Sequence, residues 1–477
     1  MYFHLIYFAV IGRRKSWPIQ NWRNIMNIVI VGDGKVGATL VEHLSMEDHN
    51  IVVIDRNQKV VEQIVNSYDV MGVCGNGASY EVQIEAGVGD SQLFIAATSS
   101  DELNILCCLM AKKVGTQHTV ARVRNPDYLK QIPFFKDELG LNLIVNPEFD
   151  AANEIAKVLR FPNAINIETF YRGLVDLAEI KLENDNPLCN MQIMDIFKKF
   201  STKVLICAVQ RKNQVIIPRG DFILQAGDRI HITAPRGVLV SFMKKLKIYK
   251  HRTKNIMITG GGKMGYYLAR QLCETGGYNV KIIENDADRC EKLCVLLPDA
   301  DIIHGDGTDR EILIEQGLHS QDAFVALTTI DEENIISAMY ASSIGVSKTV
   351  AKVNRVSYDV LESIGMDSAF SSKAIAANRI IAFARALENS GEESSVQTLY
   401  KLVGGQVEAL ELKISSDFRG IDVPLKDLEM KSDTLIACII RHHKVIFPGG
   451  NDCIERDDRV VVVTKANHIS SINEIFE

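Results

Sequence analysis

The sequence predicts an α/β protein made of two tandem parallel-sheet domains, each followed by a small α+β domain. Three observations predict it. A glycine-rich loop occurs twice, each time directly after a short apolar strand. Other landmark residues recur at the same spacing over nearly the whole of both halves. Within each half, apolar runs of strand length first alternate with amphipathic stretches and then give way to short strands and turns. The alternation argues for a parallel sheet with βαβ crossovers, and the second pattern for a separate β-rich unit.

The repeat is direct. Ile28-Val29-Ile30-Val31-Gly32-Asp33-Gly34-Lys35-Val36-Gly37 returns as Ile256-Met257-Ile258-Thr259-Gly260-Gly261-Gly262-Lys263-Met264-Gly265. Gly32 and Gly260 lie 228 positions apart, and Asp55 and Glu284 lie 229 apart. Gly75/Gly305, Thr98/Thr328, Asn104/Asn334, Arg122/Lys352, Pro218/Pro448 and Arg229/Arg459 are each separated by 230. Solenoid repeats run to roughly 20–50 residues, so this is duplication of whole domains. The expected units are an N-terminal extension over 1–25, nucleotide-type domains over 26–148 and 254–372, and small C-terminal domains over 165–249 and 392–477.

In the first copy, Ile28–Val31, Ile51–Ile54, Val70–Cys74, Leu93–Ala97 and Thr119–Val123 read as buried strands. Val36, Leu40, Val41 and Leu44 mark the apolar face of an intervening helix. Farther on, Leu174–Leu182, Val204–Gln210 and Arg229–Thr233 read as strands, with turns at Pro218-Arg219-Gly220-Asp221 and Gln225-Ala226-Gly227-Asp228. The second copy repeats them as Val407–Ile414, Leu435–Arg441 and Arg459–Val463, with turns at Pro448-Gly449-Gly450 and Glu455-Arg456-Asp457-Asp458.

Composition narrows the function classes. The chain has 477 residues, with 53 Lys and Arg against 60 Asp and Glu, a net charge of −7. Such a balance argues against nucleic-acid binding by bulk phosphate neutralisation. Hydrophobic residues at 47% and charged residues at 24% supply several ordinary cores and exclude a disordered or fibrous chain. The ten cysteines form no Cys-x-x-Cys and no zinc spacing, so they read as reduced thiols in a cytoplasmic protein, with no metal site. His442-His443 is not read as a metal pair, because adjacent strand residues point to opposite faces. Met1–Ile11 is apolar but shorter than the roughly 20 residues of a membrane span. Arg13, Arg14 and Lys15 follow it, whereas a signal peptide carries its positive charge first. We read this start as disordered or mis-assigned, since Met26 immediately precedes the first strand; an interfacial anchor and a partner-docking segment are the other readings. The basic run Lys244, Lys245, Lys247, Lys250, Arg252 and Lys254 reads as a solvated helix end and linker, or else as a contact for anionic lipid heads.

The two glycine loops carry the chemistry. Gly32-Asp33-Gly34-Lys35-Val36-Gly37 fits G-x-G-x-x-G between a strand and a helix. In that Rossmann-like setting the first glycine permits a tight turn and the second lets backbone approach a pyrophosphate. The third lets helix and sheet pack closely. The helix N-terminus then offers amides to the phosphates. Asp55 ends the second strand 18 residues after Gly37, where an acid accepts hydrogen bonds from a ribose diol and repels a 2′-phosphate. Gly260, Gly262, Gly265 and Glu284 repeat the set. Thr98-Ser99-Ser100-Asp101-Glu102 and Thr328-Thr329-Ile330-Asp331-Glu332 follow the fourth strands, at the crevice of an open sheet. Ser99-x-x-Glu102 and Thr329-x-x-Glu332 fit capping boxes, while Thr98 and Thr328 are placed to meet a ligand. Arg122 and its counterpart Lys352 end the fifth strands and can reach phosphates, or pair on the surface. Gly75-Asn76-Gly77 and Gly305-Asp306-Gly307 read as turns beside the adenosine.

Those motifs, in tandem from about Met26 to Glu477, resemble the Trk potassium-uptake protein A family, which is built from two RCK (KTN) units. The resemblance implies a cytoplasmic regulatory subunit on the inner face of the plasma membrane. It would bind NAD, NADH, ATP or ADP and gate a Trk-type membrane potassium-transporting subunit. It also implies a homo-oligomer, four chains forming a ring of eight RCK units. Carried over residue by residue, the first site would use Gly32, Asp33, Gly34, Lys35, Val36, Gly37, Asp55, Thr98, Ser99 and Arg122. The second would use Gly260, Gly261, Gly262, Lys263, Met264, Gly265, Glu284, Thr328 and Lys352.

An NAD-dependent oxidoreductase is the competing class. It needs a general acid or base beside the nicotinamide. At the repeat offset His231 meets Val461 and Lys203 meets Asp433, so neither copy offers a repeated candidate. The sequence therefore favours a regulator that is not an enzyme.

Overall fold

The computed structural model describes residues 25–477 except 33, 48, 161–165, 172–173, 213, 247–252, 356–367, 389–395, 404–405, 415, 417, 466–468, 470 and 477. The expected N-terminal extension thus lies almost wholly outside the described residues, as do Lys247, Lys250 and Arg252.

The first half begins with β1 (Asn27–Val31), α1 (Lys35–Ser45), β2 (Asn50–Asp55), α2 (Gln58–Ser67), β3 (Met71–Cys74), α3 (Tyr80–Glu85) and β4 (Leu93–Ala96). It continues with α4 (Asp101–Val114), β5 (His118–Arg122), α5 (Pro126–Leu129), α6 (Ile132–Asp137), β6 (Leu143–Val145) and α7 (Pro147–Arg160). The six strands form one parallel sheet in the order β3-β2-β1-β4-β5-β6. β1 and β4 are buried on both faces, as a sheet covered by crossover helices requires. After α7 come β7 (Asn166–Phe170), β8 (Val175–Lys181), α8 (Ile193–Phe200), β9 (Leu205–Arg211), β10 (Gln214–Ile216), β11 (Arg229–Pro235) and α9 (Arg236–Lys245). Their strands form an antiparallel sheet, β10-β9-β11-β8-β7.

The second half repeats the plan. It runs β12 (Asn255–Thr259), α10 (Lys263–Thr275), β13 (Asn279–Glu284), α11 (Ala287–Leu296), β14 (Ala300–His304) and α12 (Arg310–Glu315). Then follow β15 (Ala323–Ala326), α13 (Asp331–Ser343), β16 (Lys348–Lys352), β17 (Ala369–Phe370) and α14 (Ser372–Glu388). The parallel order is β14-β13-β12-β15-β16-β17. β18 (Val396–Leu402), β19 (Val407–Lys413), β20 (Thr434–Arg441), β21 (Lys444–Ile446) and β22 (Arg459–Thr464) close the chain as the antiparallel sheet β18-β19-β22-β20-β21. Fold class therefore follows the sequence reading, with additions. Each antiparallel sheet has five strands where the pattern shows three. The sixth parallel strands, β6 and β17, are too short to print a periodicity.

His442 and His443 are not strand residues. Both have positive φ, +49° and +62°, because they form the tight turn between β20 and β21. Among the described residues no cluster of three His, Cys, Asp or Glu could hold a metal.

The halves exchange helices. Ala151, Ala152, Ile155 and Leu159 of α7 share one core with Ile258 of β12 and with Met264, Tyr267 and Leu268 of α10. Ala376, Ala377, Ile380 and Ile381 of α14 pack with Leu40, Val41 and Leu44 of α1, and that core runs on into Leu410 and Val462 of the second antiparallel sheet. Alanines at the contact let the helix axes approach closely. The two antiparallel sheets also meet, through Phe170, Val175, Val407 and Cys438.

A buried ion triad pins this seam. Arg385 on α14 donates to Glu47 after α1 at 2.6 and 3.2 Å, and to Glu408 on β19 at 2.9 and 3.1 Å. All three side chains are at most 3% exposed. Two carboxylates stranded there without a cation are costly. Arg385→Met is expected to destabilise the chain by about 3–5 kcal/mol, read as a lower urea midpoint. Adding Glu47→Gln and Glu408→Gln to that variant should restore part of the loss.

Candidate nucleotide sites

Each glycine loop is fixed by backbone geometry. Gly32 has φ +89°, and a Cβ there would lie 2.9 Å from Thr98 Cα. Gly260 has φ +95°, and a Cβ there would lie 2.8 Å from the Leu327 carbonyl oxygen. Both positions exclude a side chain, which brings each loop against the end of the fourth strand. Gly34 and Gly262 differ: no atom lies within 4 Å of a Cβ built on either. They are the N-caps of α1 and α10, and neither makes a side-chain capping bond. The adjacent helices α2 and α11 are capped by Asn57 and Asp286. Among the described residues, the two helices that start at the glycine loops thus keep their amide ends open to an anion. That open cradle fits a nucleotide's diphosphate. Asp33 and the side chain of Lys35 lie outside the described residues. Val36 and Met264 turn inward and are buried.

The acids sit where the ribose is expected, but they are not equivalent. Asp55 Oδ1 accepts from the amide of Asn57 at 2.8 Å. The longer Glu284 accepts from Asp286 N at 3.0 Å and also reaches back to Gly261 N at 2.6 Å. The second loop is therefore tied to its own acid. Arg289 Nε holds the same loop from the other side through the Gly261 carbonyl, at 2.8 Å.

At the crevice end of β4, buried Asn104 organises the corner. Its Oδ1 accepts from Thr98 N at 2.8 Å and from the Thr98 hydroxyl at 2.7 Å. Its Nδ2 donates to the carbonyls of Thr98 and Arg122 at 3.2 and 2.8 Å. Asn334 makes the matching set with Thr328 and Lys352. Asp101 Oδ2 accepts from Arg124 N and Asn125 N, and Asp331 Oδ2 from Asn354 N and Arg355 N. The sequence reading used the asparagines only as register marks and gave the aspartates no role. Their recurrence at the common offset is the signal that finds them. The capping boxes are corrected here. The α4 cap is Ser100, which accepts from Leu103 N, because the helix starts one residue later than Ser99 would require. The α13 cap is Ile330, which has no side-chain acceptor, so Thr329 makes no box. Thr98 and Thr328 commit their hydroxyls to the asparagines, while Ser99 stays exposed at the rim.

Positive charge gathers at the first site. Arg122 Nη1 donates to the Thr98 carbonyl at 3.2 Å, and Nη2 lies 3.8 Å from Glu148. Its Nε is buried without a partner. Burial, with neighbouring Arg124 adding to it, lowers the Arg122 guanidinium pKa, so an incoming anion would relieve it. Lys352 Nζ donates to the Leu327 carbonyl at 3.4 Å. The Glu102 carboxyl sits below its ordinary range through hydrogen bonds from its own backbone, Tyr128 and Ser100, with a smaller pull from Lys263. Lys263 is the first residue of α10, so that helix brings a positive charge of the second half toward the first corner.

Tyr267, one turn into α10, makes this contact structural. Its hydroxyl donates to the Arg124 carbonyl at 2.8 Å and accepts from Asn146 Nδ2 at 3.1 Å. Burial raises its pKa, so it stays a neutral donor.

Paired glycine-loop clefts on tandem Rossmann units, joined by exchanged helices, define a class of duplicated nucleotide-binding proteins. The chain matches the TrkA-N domain over residues 28–147 and 256–372, and the TrkA-C domain over 177–247 and 410–477. It belongs to the TrkA family. A Trk system potassium uptake protein TrkA homolog of Archaeoglobus fulgidus is 32% identical over 453 residues, 94% of this chain and 100% of the relative. The Trk system potassium uptake protein TrkA of Vibrio alginolyticus is 29% identical over 95% of this chain and 99% of the relative. In fold the chain is similar to the GsuK channel, with a TM-score of 0.61 at 16% identity, covering 92% of this chain and 77% of that one. It is similar also to the GsuK channel bound to NAD, with a TM-score of 0.59.

Tyr267→Phe is expected to leave Asn146 Nδ2 and the Arg124 carbonyl unsatisfied and to cost about 1–3 kcal/mol. Thermal or urea unfolding of the full chain checks it, and an unchanged midpoint would remove the bond from the seam.

Proposed function

We propose that this chain is the nucleotide-binding regulatory subunit of a Trk-type potassium transporter, taking NAD or NADH in its clefts, and ATP or ADP by the same contacts. The observation that carries this reading is the pair of uncapped helix N-termini at Gly34 and Gly262, each with an acid at the end of the neighbouring strand. The amides would hold the diphosphate, and Asp55 and Glu284 the ribose diol, with Ser99 and Arg122 closing the first site and Lys352 the second, while Thr98 and Thr328 would shape the two corners through Asn104 and Asn334. The names of the relatives and the NAD-bound neighbour support it. The five proposed units are those read from the sequence.

A membrane partner follows from that role. No helix among the described residues is long and apolar enough to cross a membrane, so the transporting subunit would supply the ion path. We place the regulator on the inner face of the membrane. Assembly into a ring of eight units from four chains is supported by repeated apolar exposure. Ile84 and Leu106 are exposed on the first half, and Ile314 and Ile336 stand at the same positions of the second. Unpartnered apolar faces at equivalent sites suit self-association. Gating then needs only differential affinity. A nucleotide that binds one ring shape better than another shifts the balance, typically by about 1–3 kcal/mol.

Calorimetric titration of the purified chain with NAD, NADH, ATP and ADP tests the assignment. Asp55→Ala is expected to weaken one binding event and Glu284→Ala the other, each by about tenfold, or 1.4 kcal/mol. Isotherms unchanged in both variants would remove these acids from the sites. The oxidoreductase reading makes the opposite forecast for NADH absorbance. Incubation with carbonyl substrates should produce no sustained turnover, and steady oxidation would overturn the regulatory reading.

A further inference from the structure

A cavity of about 780 Å³ opens at the seam of the two exchanged helices. It is lined by α7, α14, β17 and β18, with Leu143 and Glu168 at its edge, and none of the glycine-loop residues borders it. It is therefore separate from both nucleotide clefts. Its size lies in the roughly 300–1,000 Å³ range of small-molecule sites.

The chemistry of the lining is uneven in an informative way. The two helices correspond residue for residue, Ala151 to Ala376 and Ile155 to Ile380. On that match Asn153 corresponds to Asn378, and both face the cavity. Neither amide has a hydrogen-bond partner among the described residues. The flanking positions break the correspondence. Where α7 carries Asp150 and Glu154, α14 carries Ile375 and Arg379. One wall is thus acidic and the other basic, with Lys401 of β18 on the basic side.

These charges are only partly matched by the protein. Arg379 Nη1 donates to both Asp150 oxygens at 2.8 Å, but its Nε and Nη2 have no described partner. Among the described residues Lys401 Nζ has one hydrogen-bond contact, His43 Nδ1 at 3.4 Å, and burial lowers its pKa against the pull of Glu408 and Glu47. Burial raises the Asp150 carboxyl despite Arg379, and it raises Glu154 despite Lys157 at 2.7 Å. The cavity therefore offers spare cationic donors on one side, partly desolvated carboxylates on the other, and two idle amides between. Phe149 and Phe370 add apolar surface.

We infer that this cavity binds a free α-amino acid. The ligand carboxylate would take the open Arg379 fork and Lys401, and its ammonium would take the Asp150 and Glu154 side. Asn153 and Asn378 would hydrogen-bond the backbone atoms, and the ligand side chain would lie on the phenylalanines. A phosphate-rich ligand meets Asp150, Glu154 and Glu168 and is disfavoured by like charge. The position gives the site a consequence. α7 covers the second parallel sheet and α14 the first, so an occupant between them bears on both nucleotide units at once.

The test is titration of the full chain with each of the twenty amino acids up to about 10 mM, by calorimetry and thermal shift. Inorganic phosphate and succinate serve as anionic comparators. At least one amino acid is expected to bind saturably with one molecule per chain. Arg379→Gln and the uncharged change Asn378→Leu are each expected to weaken it by about tenfold or more, with circular-dichroism melting reporting that the fold is kept. Loss in either folded variant supports the site. Absence of binding by every amino acid, preference for phosphate or succinate, or wild-type affinity in both variants would overturn it.

Discussion

Each parallel sheet has a face that its own half covers only in part, with α1 and α2 on the first and α10 on the second. The first is completed by α14 from the second half, and the second by α7 from the first. Burying those helices removes a continuous apolar surface from water, and either half alone would expose it. The constraint is reciprocal, so the two glycine-loop domains are held face to face. α10, which starts behind the second loop, then reaches the first half through Tyr267, which bonds the Arg124 carbonyl and Asn146. Arg385 sharpens the fit on one side only. The corresponding residue of α7 is Arg160, and the position matching Glu47 is Thr275, which cannot supply a second carboxylate. A hydrophobic seam is forgiving in register; a buried cation between two fixed acids is not.

The duplication has diverged at positions that bear on ligand binding. Glu284 is long enough to bond Gly261, so a ribose at the second site must share that carboxylate with the loop. Asp55 is one methylene shorter. Ser100 caps α4 through its hydroxyl and donates to Glu102, whereas Ile330, the cap residue of α13, has no polar side chain for either bond. Arg122 keeps a buried unpaired Nε, while Lys352 brings an ammonium without a planar fork. The change from Ser100 to Ile330 makes the first corner the more polar one. The hairpin clamps of the antiparallel sheets have been kept instead. Arg211 grips Asp228 through two bonds of 2.8 Å, and Arg441 grips Asp458 in the same way at 3.0 and 2.8 Å.

Much of this was legible because the repeat samples each motif twice. Strands with buried runs on both faces, such as Leu93–Ala96 and Ala323–Ala326, print an unambiguous pattern. β10 and β21 have three residues each, too few for any period, and β7 alternates polar and apolar residues too weakly to stand out. The His442-His443 turn looked like strand because turn chemistry there is carried by positive φ at two non-glycine residues, which sequence does not announce. Asn104 and Asp101 were hidden for another reason. Their partners are backbone atoms of the next strand, and a backbone partner leaves no residue type to recognise. The exchange of α7 and α14 was beyond local reading altogether, since an amphipathic helix does not name the sheet it will cover.

The same seam links the two glycine loops through named contacts, which would carry the coupling that the proposed regulation needs. α10 is capped at Gly262, beside the proposed second phosphate site, and one turn into the helix Tyr267 donates to the Arg124 carbonyl. Arg124 in turn donates its side chain to the Ser99 carbonyl and its backbone amide to Asp101 Oδ2, both at the first corner. A displacement of α10 therefore reaches Ser99 through two side chains. A single hydrogen bond contributes about 1 kcal/mol net, near the lower end of the roughly 1–3 kcal/mol that separates coupled sites. Tyr267 alone is thus barely sufficient, and the packing of Tyr267 against Phe149 at 5.4 Å between ring centres must share the load. Phe149 sits on α7 at the mouth of the seam cavity, so that cavity and both clefts draw on one set of contacts. A ligand at any of the three proposed sites would therefore act on packing shared with the other two.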